Sequence, residues 1–381
     1  MGVPGLFSFF RKRTPASIKT ISIDTKLQFD YVFIDGNAYI YPGVHRIFGD
    51  KQYNDLPYEK KEEMCFSEIL KDIMILLSIT NPTKLLYIAI DGSAPQAKQH
   101  QQRIRRYLSS PLNDFDINSI SPGTLFMYNL HLFFIYSIIK IMDTNYKDIF
   151  VEYSSYMVPG EAEHKIMDYI SYMQSQELYN CSICVCGPDA DLILLSMVID
   201  SDNMYILRGE HDDESIFNVI EIKSIKQYVV ELFQPNKNIK DKIFIENIIS
   251  DFIFITTLLG NDFLPRMKMF LYLPDSIDVL VDITKVTLRK SKYKTLSFNK
   301  EEFNHDMLQY FFQNLSNMEI YSIYLQSYRK ITDVKFRDDT LNKYIKKNPQ
   351  GKTYLDFYNY RKEYYKKINT KNDTRRSFYS A

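Results

Sequence analysis

Tryptophan is absent from this chain of 381 residues, cysteine occurs four times, and neither sign of charge is in excess. Lys plus Arg (47) balances Asp plus Glu (47), so no bulk positive field points to nucleic acid, and any such site must be a local patch. Four cysteines in a chain this long make no disulfide framework. Cys181, Cys184 and Cys186 stand close together, but no second Cys or His pair lies nearby to complete a zinc set. They read as thiols of a buried strand in a reducing, intracellular setting, the cytoplasm before the nucleus. Long apolar runs are missing as well. The most apolar stretch, Leu130 to Met142, is too short to span a bilayer and carries Lys140, so no membrane partner is expected. The start is no signal peptide, because Arg11-Lys12-Arg13 follows the apolar residues, and no myristoylation signal, because Leu6 stands where Ser or Thr is needed.

What is present is ordinary globular usage, 45% apolar and 25% charged, which excludes a wholly disordered or fibrous chain. Short apolar runs rich in Val, Ile and Tyr at Tyr31–Ile34, Leu85–Ile90, Ile149–Tyr153, Ile183–Cys186 and Met204–Leu207 read as buried strands. Stretches of helical apolar spacing, including Glu62–Ile79, Leu125–Met142 and Glu161–Gln174, lie between them. The alternation predicts an α/β fold with a mostly parallel central sheet flanked by helices. Such sheets place ligands at the carboxyl ends of their strands. From about residue 240 the chain turns helical, with Lys242–Leu259 closed by Gly260 and a further helix over Phe303–Lys330. The reading divides the chain into a domain over 1–270 and a helical C-terminal region over 271–381 with a basic, Tyr-rich tail.

Carboxylates follow the strands. Asp35 and Asp91 directly follow the first two, and Asp189 and Asp191 follow the fourth; Glu161 and Glu163 open a helix after Pro159-Gly160, and Asp262 follows the Gly260-Asn261 break. One such Asp is most often a helix cap or turn former. Several on one sheet edge are harder to explain so, since like charges about 4 Å apart cost about 1 kcal/mol in water and about 4 at an effective dielectric of 20. Cations must hold them together, and hard ions with oxygen ligands fit: two Mg2+, with Mn2+ as substitute. Spacing adds a condition. Residues i and i+2 share a face in extended chain, which suits Asp189 and Asp191, but on a helix they diverge by about 200°. Glu161 and Glu163 therefore meet only if Glu161 lies in the cap. Two-metal carboxylate sites suit phosphodiester hydrolysis, with DNA or RNA as substrate class.

After Pro95 the chain reads as a helix on which Lys98, Gln102, Arg105 and Arg106 share about 100° of arc. No acid interrupts the run between Lys98 and Arg106, so this cationic stripe suits a terminal phosphate better than a balanced solvated face.

Seven segments in order then resemble the XRN-type 5′→3′ exoribonucleases: Met1-Gly2-Val3-Pro4, Asp35-Gly36-Asn37, Asp91-Gly92-Ser93-Ala94-Pro95 with its basic extension, Ser121 to Met127, Val158 to Met167, Gly187 to Leu192, and Leu259 to Pro265. The resemblance implies a PIN-like nuclease core shared with flap endonucleases. It also implies magnesium-dependent hydrolysis of single-stranded RNA from a 5′-monophosphate end. It assigns metal binding and catalysis to Asp35, Asp91, Glu161, Glu163, Asp189, Asp191 and Asp262, and the 5′-phosphate pocket to Lys98, Gln102, Arg105 and Arg106. Where the family has a base-stacking His, this chain has Tyr41. The tail at Tyr360–Lys367 resembles the opening of the family's second conserved region, so the reading is a minimal member, of viral type, or a segment of a longer protein. Two alternatives stand beside it: a flap-endonuclease-like, structure-specific DNA nuclease, and a catalytically inactive nucleic-acid-binding protein.

Overall fold

The computed structural model describes residues 2–96, 98–99, 101–103, 115–144, 146–174, 181–210, 213–233, 241–261, 264, 266–271, 275–292, 294–298, 302–328, 339–351 and 353–370. The chain forms two compact units, one over Phe7–Gln227 and the other over Met1–Leu6 with Tyr228–Ala381.

The first unit is built on a seven-stranded sheet in the order β1-β7-β6-β5-β2-β3-β4. Its strands are β1 (Ile18–Ser22), β2 (Phe29–Asp35), β3 (Pro82–Ala89), β4 (Phe150–Ser154), β5 (Ile183–Cys186), β6 (Met204–Gly209) and β7 (Ile216–Glu221). The pairs β2/β3, β2/β5, β3/β4 and β5/β6 are parallel, whereas β6/β7 and β1/β7 are antiparallel. The five apolar runs are thus the parallel strands. The antiparallel edge goes beyond the sequence reading: β1, Ile-Lys-Thr-Ile-Ser, buries only Ile21 and shows no apolar run.

Burial on both sides of the parallel strands explains their nearly continuous apolar character. Alternate residues point to opposite faces. Val32, Ile34, Leu86, Ile88, Cys184 and Cys186 join one core with helices α2 (Asn37–Phe48), α3 (Tyr58–Thr80) and α4 (Leu125–Thr144). On the opposite face Phe33 and Tyr87 meet Tyr169 of α5 (Ala162–Gln174), with ring centroids 6.0 and 4.6 Å apart. All four cysteines are free, and Cys184 and Cys186 are fully buried in β5, as expected of structural thiols.

α4 covers the helix expected over Leu125–Met142, but its apolar portion is longer than the Leu130–Met142 stretch judged too short to span. It begins five residues before the apolar stretch marked in the sequence, and its Leu125–Met142 portion, mean hydropathy 1.5, is long and apolar enough to cross a bilayer by length and composition. One side of it, Phe126, Met127, Leu130, Phe134 and Ile138, is buried in the core just described. The other side leaves Leu125, Tyr128, Leu132, Ile135, Tyr136 and Ile139 exposed.

α1 spans Leu6–Arg13, α6 spans Asp191–Val198 between β5 and β6, and α7 spans Ile222–Phe233 after β7. In the second unit, α8 (Lys242–Thr257) starts at Asp241, whose carboxylate caps Ile243 N at 3.0 Å. α9 (Ser276–Lys290) and α10 (His305–Tyr328) follow, with two short hairpins, one of β8 (Ser297–Phe298) and β9 (Glu302–Phe303), the other of β10 (Ile345–Lys347) and β11 (Thr353–Leu355). Asp251 of α8 is fully buried and holds the first hairpin's start: its carboxylate accepts from Leu296 N (2.8 Å), Ser297 N (2.7 Å) and Ser297 Oγ (2.6 Å).

Candidate active site at the carboxyl edge of the sheet

Because β2, β3, β4, β5 and β6 are parallel, their carboxyl ends share one edge, and the chain segments leaving that edge carry the acids. Asp35 is the last residue of β2, Asp91 lies two residues past β3, and Asp189 lies three past β5. Backbone amides fix the first two. Asn37 N donates to Asp35 Oδ1 (3.2 Å), Asn37 Oδ1 accepts from Asp91 N (2.9 Å), and Asp91 Oδ1 accepts from Ala162 N (2.7 Å) at the start of α5. Asp91 is thus both a helix cap and a member of the acid cluster, so the bland and the functional readings of that residue hold together.

The loops can approach this closely because glycine stands where they cross. Gly92 N donates to Gly160 O (2.9 Å) and Gly160 N to Ser93 O (3.0 Å), and a Cβ on Gly92 would lie 1.9 Å from Val158 O. At Gly187 a Cβ would meet Leu192 Cδ1 at 2.6 Å and approach the Asp35 carboxylate. The Asp-Gly-Ser, Pro-Gly-Glu and Gly-Pro-Asp segments are therefore steric requirements of one site.

Glu161 precedes α5 and Glu163 lies in its first turn, which satisfies the capping condition set by their spacing. Asp191 differs from the extended geometry expected of it: it is the first residue of α6, after the Asp189 loop. It still lies close enough to the cluster for its charge to act on Glu163. Electrostatic coupling joins all six described acids. Burial first, then the charges of Asp91, Glu163 and Asp189, push Asp35 well above the usual carboxylate range. Burial also raises Asp91, with the Ala162 amide opposing and Glu161 adding to the rise. Glu163 is pushed up to about 8, chiefly by burial, with Lys98 opposing and Glu161, Asp189 and Asp191 contributing. Asp262 lies outside the described residues.

Counter-charge comes from two buried lysines. Lys98 Nζ pairs with Glu161 Oε1 at 2.8 Å. Lys165 Nζ donates to Ile90 O (2.8 Å) and Ser155 O (2.9 Å), tying the ends of β3 and β4, and burial lowers its pKa to about 8 against the pull of Asp91. The second Glu161 oxygen, Oε2, is buried and accepts no hydrogen bond. A buried carboxylate oxygen without a donor, inside a crowd of acids, is what a hard cation would complete. Ligand atoms of Glu161, Glu163 and His164 lie within 4.8 Å of one another, so this corner fits a divalent ion.

Of the basic stripe, Lys98 is turned into the acid cluster and Gln102 is half-buried, while Arg105 and Arg106 lie outside the described residues. Tyr41 sits on α2, partly buried against the core. Asn37, His164 and Lys165 carry no role that the sequence alone assigns. Asn37 stands in the Asp35-Gly36-Asn37 turn, and the other two directly follow Glu163, so position was the available signal.

Comparison with known proteins identifies the family. The family model described as XRN 5′-3′ exonuclease N-terminus matches residues 1–114 and 109–210, and that described as Xrn1 helical domain matches 242–376. The chain belongs to the XRN 5′-3′ exonuclease family. Family relatives include 5′-3′ exoribonuclease 1 of Schizosaccharomyces pombe, 32% identical over 301 residues, which are 70% of this chain and 22% of that one. The 5′-3′ exoribonuclease 1 of Homo sapiens is 29% identical over 302 residues, 70% of this chain and 17% of that one. The 5′-3′ exoribonuclease 2 homolog of Drosophila melanogaster is 27% identical over 433 residues, 89% and 46% of the two chains. The chain thus spans about a fifth of the length of the exoribonuclease 1 relatives and under half of the exoribonuclease 2 homolog. Among solved structures, the catalytic core of Rad2 in complex with DNA substrate aligns with a TM-score of 0.43 and 16% identity, covering 87% of this chain and 83% of that one.

Proposed function

We propose that this chain is a magnesium-dependent 5′→3′ exoribonuclease that hydrolyses single-stranded RNA carrying a 5′-monophosphate. The observation that carries the reading is the meeting of six acids on one sheet edge with a buried, donorless Glu161 oxygen among them. Asp35, Asp91, Glu161, Glu163, Asp189 and Asp191, with Asp262, would hold two divalent ions. Bound there, such ions would activate the attacking water and stabilise the leaving oxygen of an in-line displacement.

The chain's own groups orient this arrangement. The Ala162 amide fixes the Asp91 carboxylate, Asn37 locks the β2 and β3 turns together, and Lys165 clamps the ends of β3 and β4. Lys98, Gln102, Arg105 and Arg106 would take the terminal phosphate through charge-assisted hydrogen bonds, and a small charge-matched pocket would reject a cap or triphosphate. Tyr41 would stack on the terminal base.

RNAs identical except for a 5′-monophosphate, 5′-hydroxyl or cap test the reading. The monophosphate should be degraded much faster, and only with a divalent ion present. Equal rates on all three would remove the pocket assignment, and an absence of divalent-stimulated turnover on RNA would remove the activity.

A further inference from the structure

Along the carboxyl edge the strand order β6-β5-β2-β3 sets Arg208, Asp189, Asp35 and Asp91 in succession, and Glu161, just before α5, brings its paired Lys98 to the Asp91 side. Arg208 stands near the carboxyl end of β6, one residue past Leu207, which pairs with Cys186 in register and accepts a hydrogen bond from Gly187 N (3.0 Å). It therefore flanks the Gly187–Asp189 turn. Its guanidinium lies over the ring of Phe7, 4.4 Å from the centroid, a stacking that fixes the long side chain.

Among the described residues the guanidinium has no hydrogen-bonded anion. It makes no hydrogen bond and no ion pair with them, and none of its nitrogens is both buried and unpartnered, so the donor fork opens to solvent. The nearest carboxylate in sequence, Glu210, is already engaged by Arg11 (3.1 Å) and Asn218 (2.8 Å). Half-burial lowers the Arg208 pKa and Asp189 raises it, which places Arg208 within the field of the acid cluster. A half-buried cation stacked on Phe7, with its donors unspent among the described residues, is poised for an anion that those residues do not supply. The planar fork matches phosphate oxygens, and a polyanionic strand entering a row of carboxylates needs cations at both ends of the row.

We propose that Arg208 binds a backbone phosphate of the RNA strand at the β6 end of the acid row, opposite Lys98, with Phe7 as the platform that holds its guanidinium in place. The assignment rests on the exoribonuclease reading and adds to it a contact on the strand beyond the terminal phosphate. The competing role is structural: Arg208 would only screen Asp189 and brace Phe7.

Binding of a fluorescent 5′-monophosphorylated single-stranded RNA decides between them, measured in magnesium across a salt series on an Asp191→Asn background that does not consume the probe. Arg208→Gln should weaken binding about tenfold at 0.1 M salt, the scale of one charge-assisted hydrogen bond. It should also flatten the slope of log affinity against log salt by about 0.7, one phosphate contact on a single strand. Arg208→Lys should keep the slope and lose part of the affinity. Phe7→Leu should keep the slope and weaken binding less than Arg208→Gln. With Asp191 intact, Arg208→Gln should raise KM with little change in kcat. Unchanged affinity and slope in Arg208→Gln, or a lowered Tm with binding intact, would overturn the assignment while leaving the nuclease reading in place. If Arg208→Gln does not fold, a Lys variant whose salt slope falls as well would overturn it. If the chain with Arg208 neither binds nor degrades this RNA, the exoribonuclease reading itself is lost, and the assignment with it.

Discussion

Withdrawing divalent ions should make the first unit less stable as pH rises from about 5 toward 8, and restoring them should help most at the upper end. Glu163 sets the size of the effect. Its folded-state pKa is raised from 4.5 to about 8, so between those values the folded chain keeps a proton that the unfolded chain releases. Stability contributed by this group is therefore complete below about 4.5 and lost as pH climbs through 8. At about 1.4 kcal/mol per pH unit the loss reaches at most about 5 kcal/mol. Asp35 and Asp91, shifted in the same direction, add to it. Lys165 works the other way but only from about 8 upward, so measurements between pH 5 and 8 isolate the acids. An ion at one hundred times its Kd stabilises by about 2.7 kcal/mol. At about 2–4 °C per kcal/mol for a unit of this size, that is a rise in Tm of about 5–10 °C. Thermal melts at pH 5, 6.5 and 8, in chelator and in magnesium, supply the test. The chelated protein should lose Tm with rising pH, the magnesium increment should grow with pH, and Glu163→Gln should flatten the chelator series. A magnesium increment equal at pH 5 and pH 8, or none at all, would refute the picture of acids crowded around a cation site.

Asp191→Asn should cut RNA hydrolysis by at least about 10²–10³-fold, the cost of one lost electrostatic partner of the reacting groups, with an unchanged circular dichroism spectrum as control. Gly92→Ala should depress both Tm and turnover, because its Cβ would fall 1.9 Å from Val158 O and push the Asp91 and Glu161 loops apart; overpacking of this kind costs about 1–3 kcal/mol. Asp251→Ala should destabilise the second unit by about 3–5 kcal/mol, since it strands Leu296 N, Ser297 N and Ser297 Oγ without an acceptor, and limited proteolysis should report it as cleavage near the first hairpin.

The parallel half of the sheet was legible because its strands are buried on both faces and so appear as unbroken Val, Ile and Tyr runs, each followed by a turn. The antiparallel edge was not, because β1 is half polar and its partner β7 is recognisable only through pairing. Asp35, Asp91, Glu161, Glu163 and Asp189 announced themselves by position after strands or a Pro-Gly break. Asp191 was placed on the right edge with the wrong local geometry, because nothing between Asp189 and Leu192 marks where α6 begins. Lys98 reads in sequence as part of a phosphate-binding stripe; its pairing with Glu161 depends on how the segments that follow β3 and β4 are juxtaposed. Lys165, Asn37 and Arg208 act through contacts to distant segments, which no local periodicity encodes.

The two-sidedness of α4 has a practical side. Half of this helix is anchored in the interior, and the half facing water presents Leu132, Tyr136 and Ile139 where a soluble surface would carry charge. Concentrated preparations should therefore be prone to adhesion and clumping for reasons unrelated to chemistry at the acidic edge. Glutamate or lysine introduced at positions 132 and 136 would improve handling while leaving every residue of the hydrolytic machinery as it is.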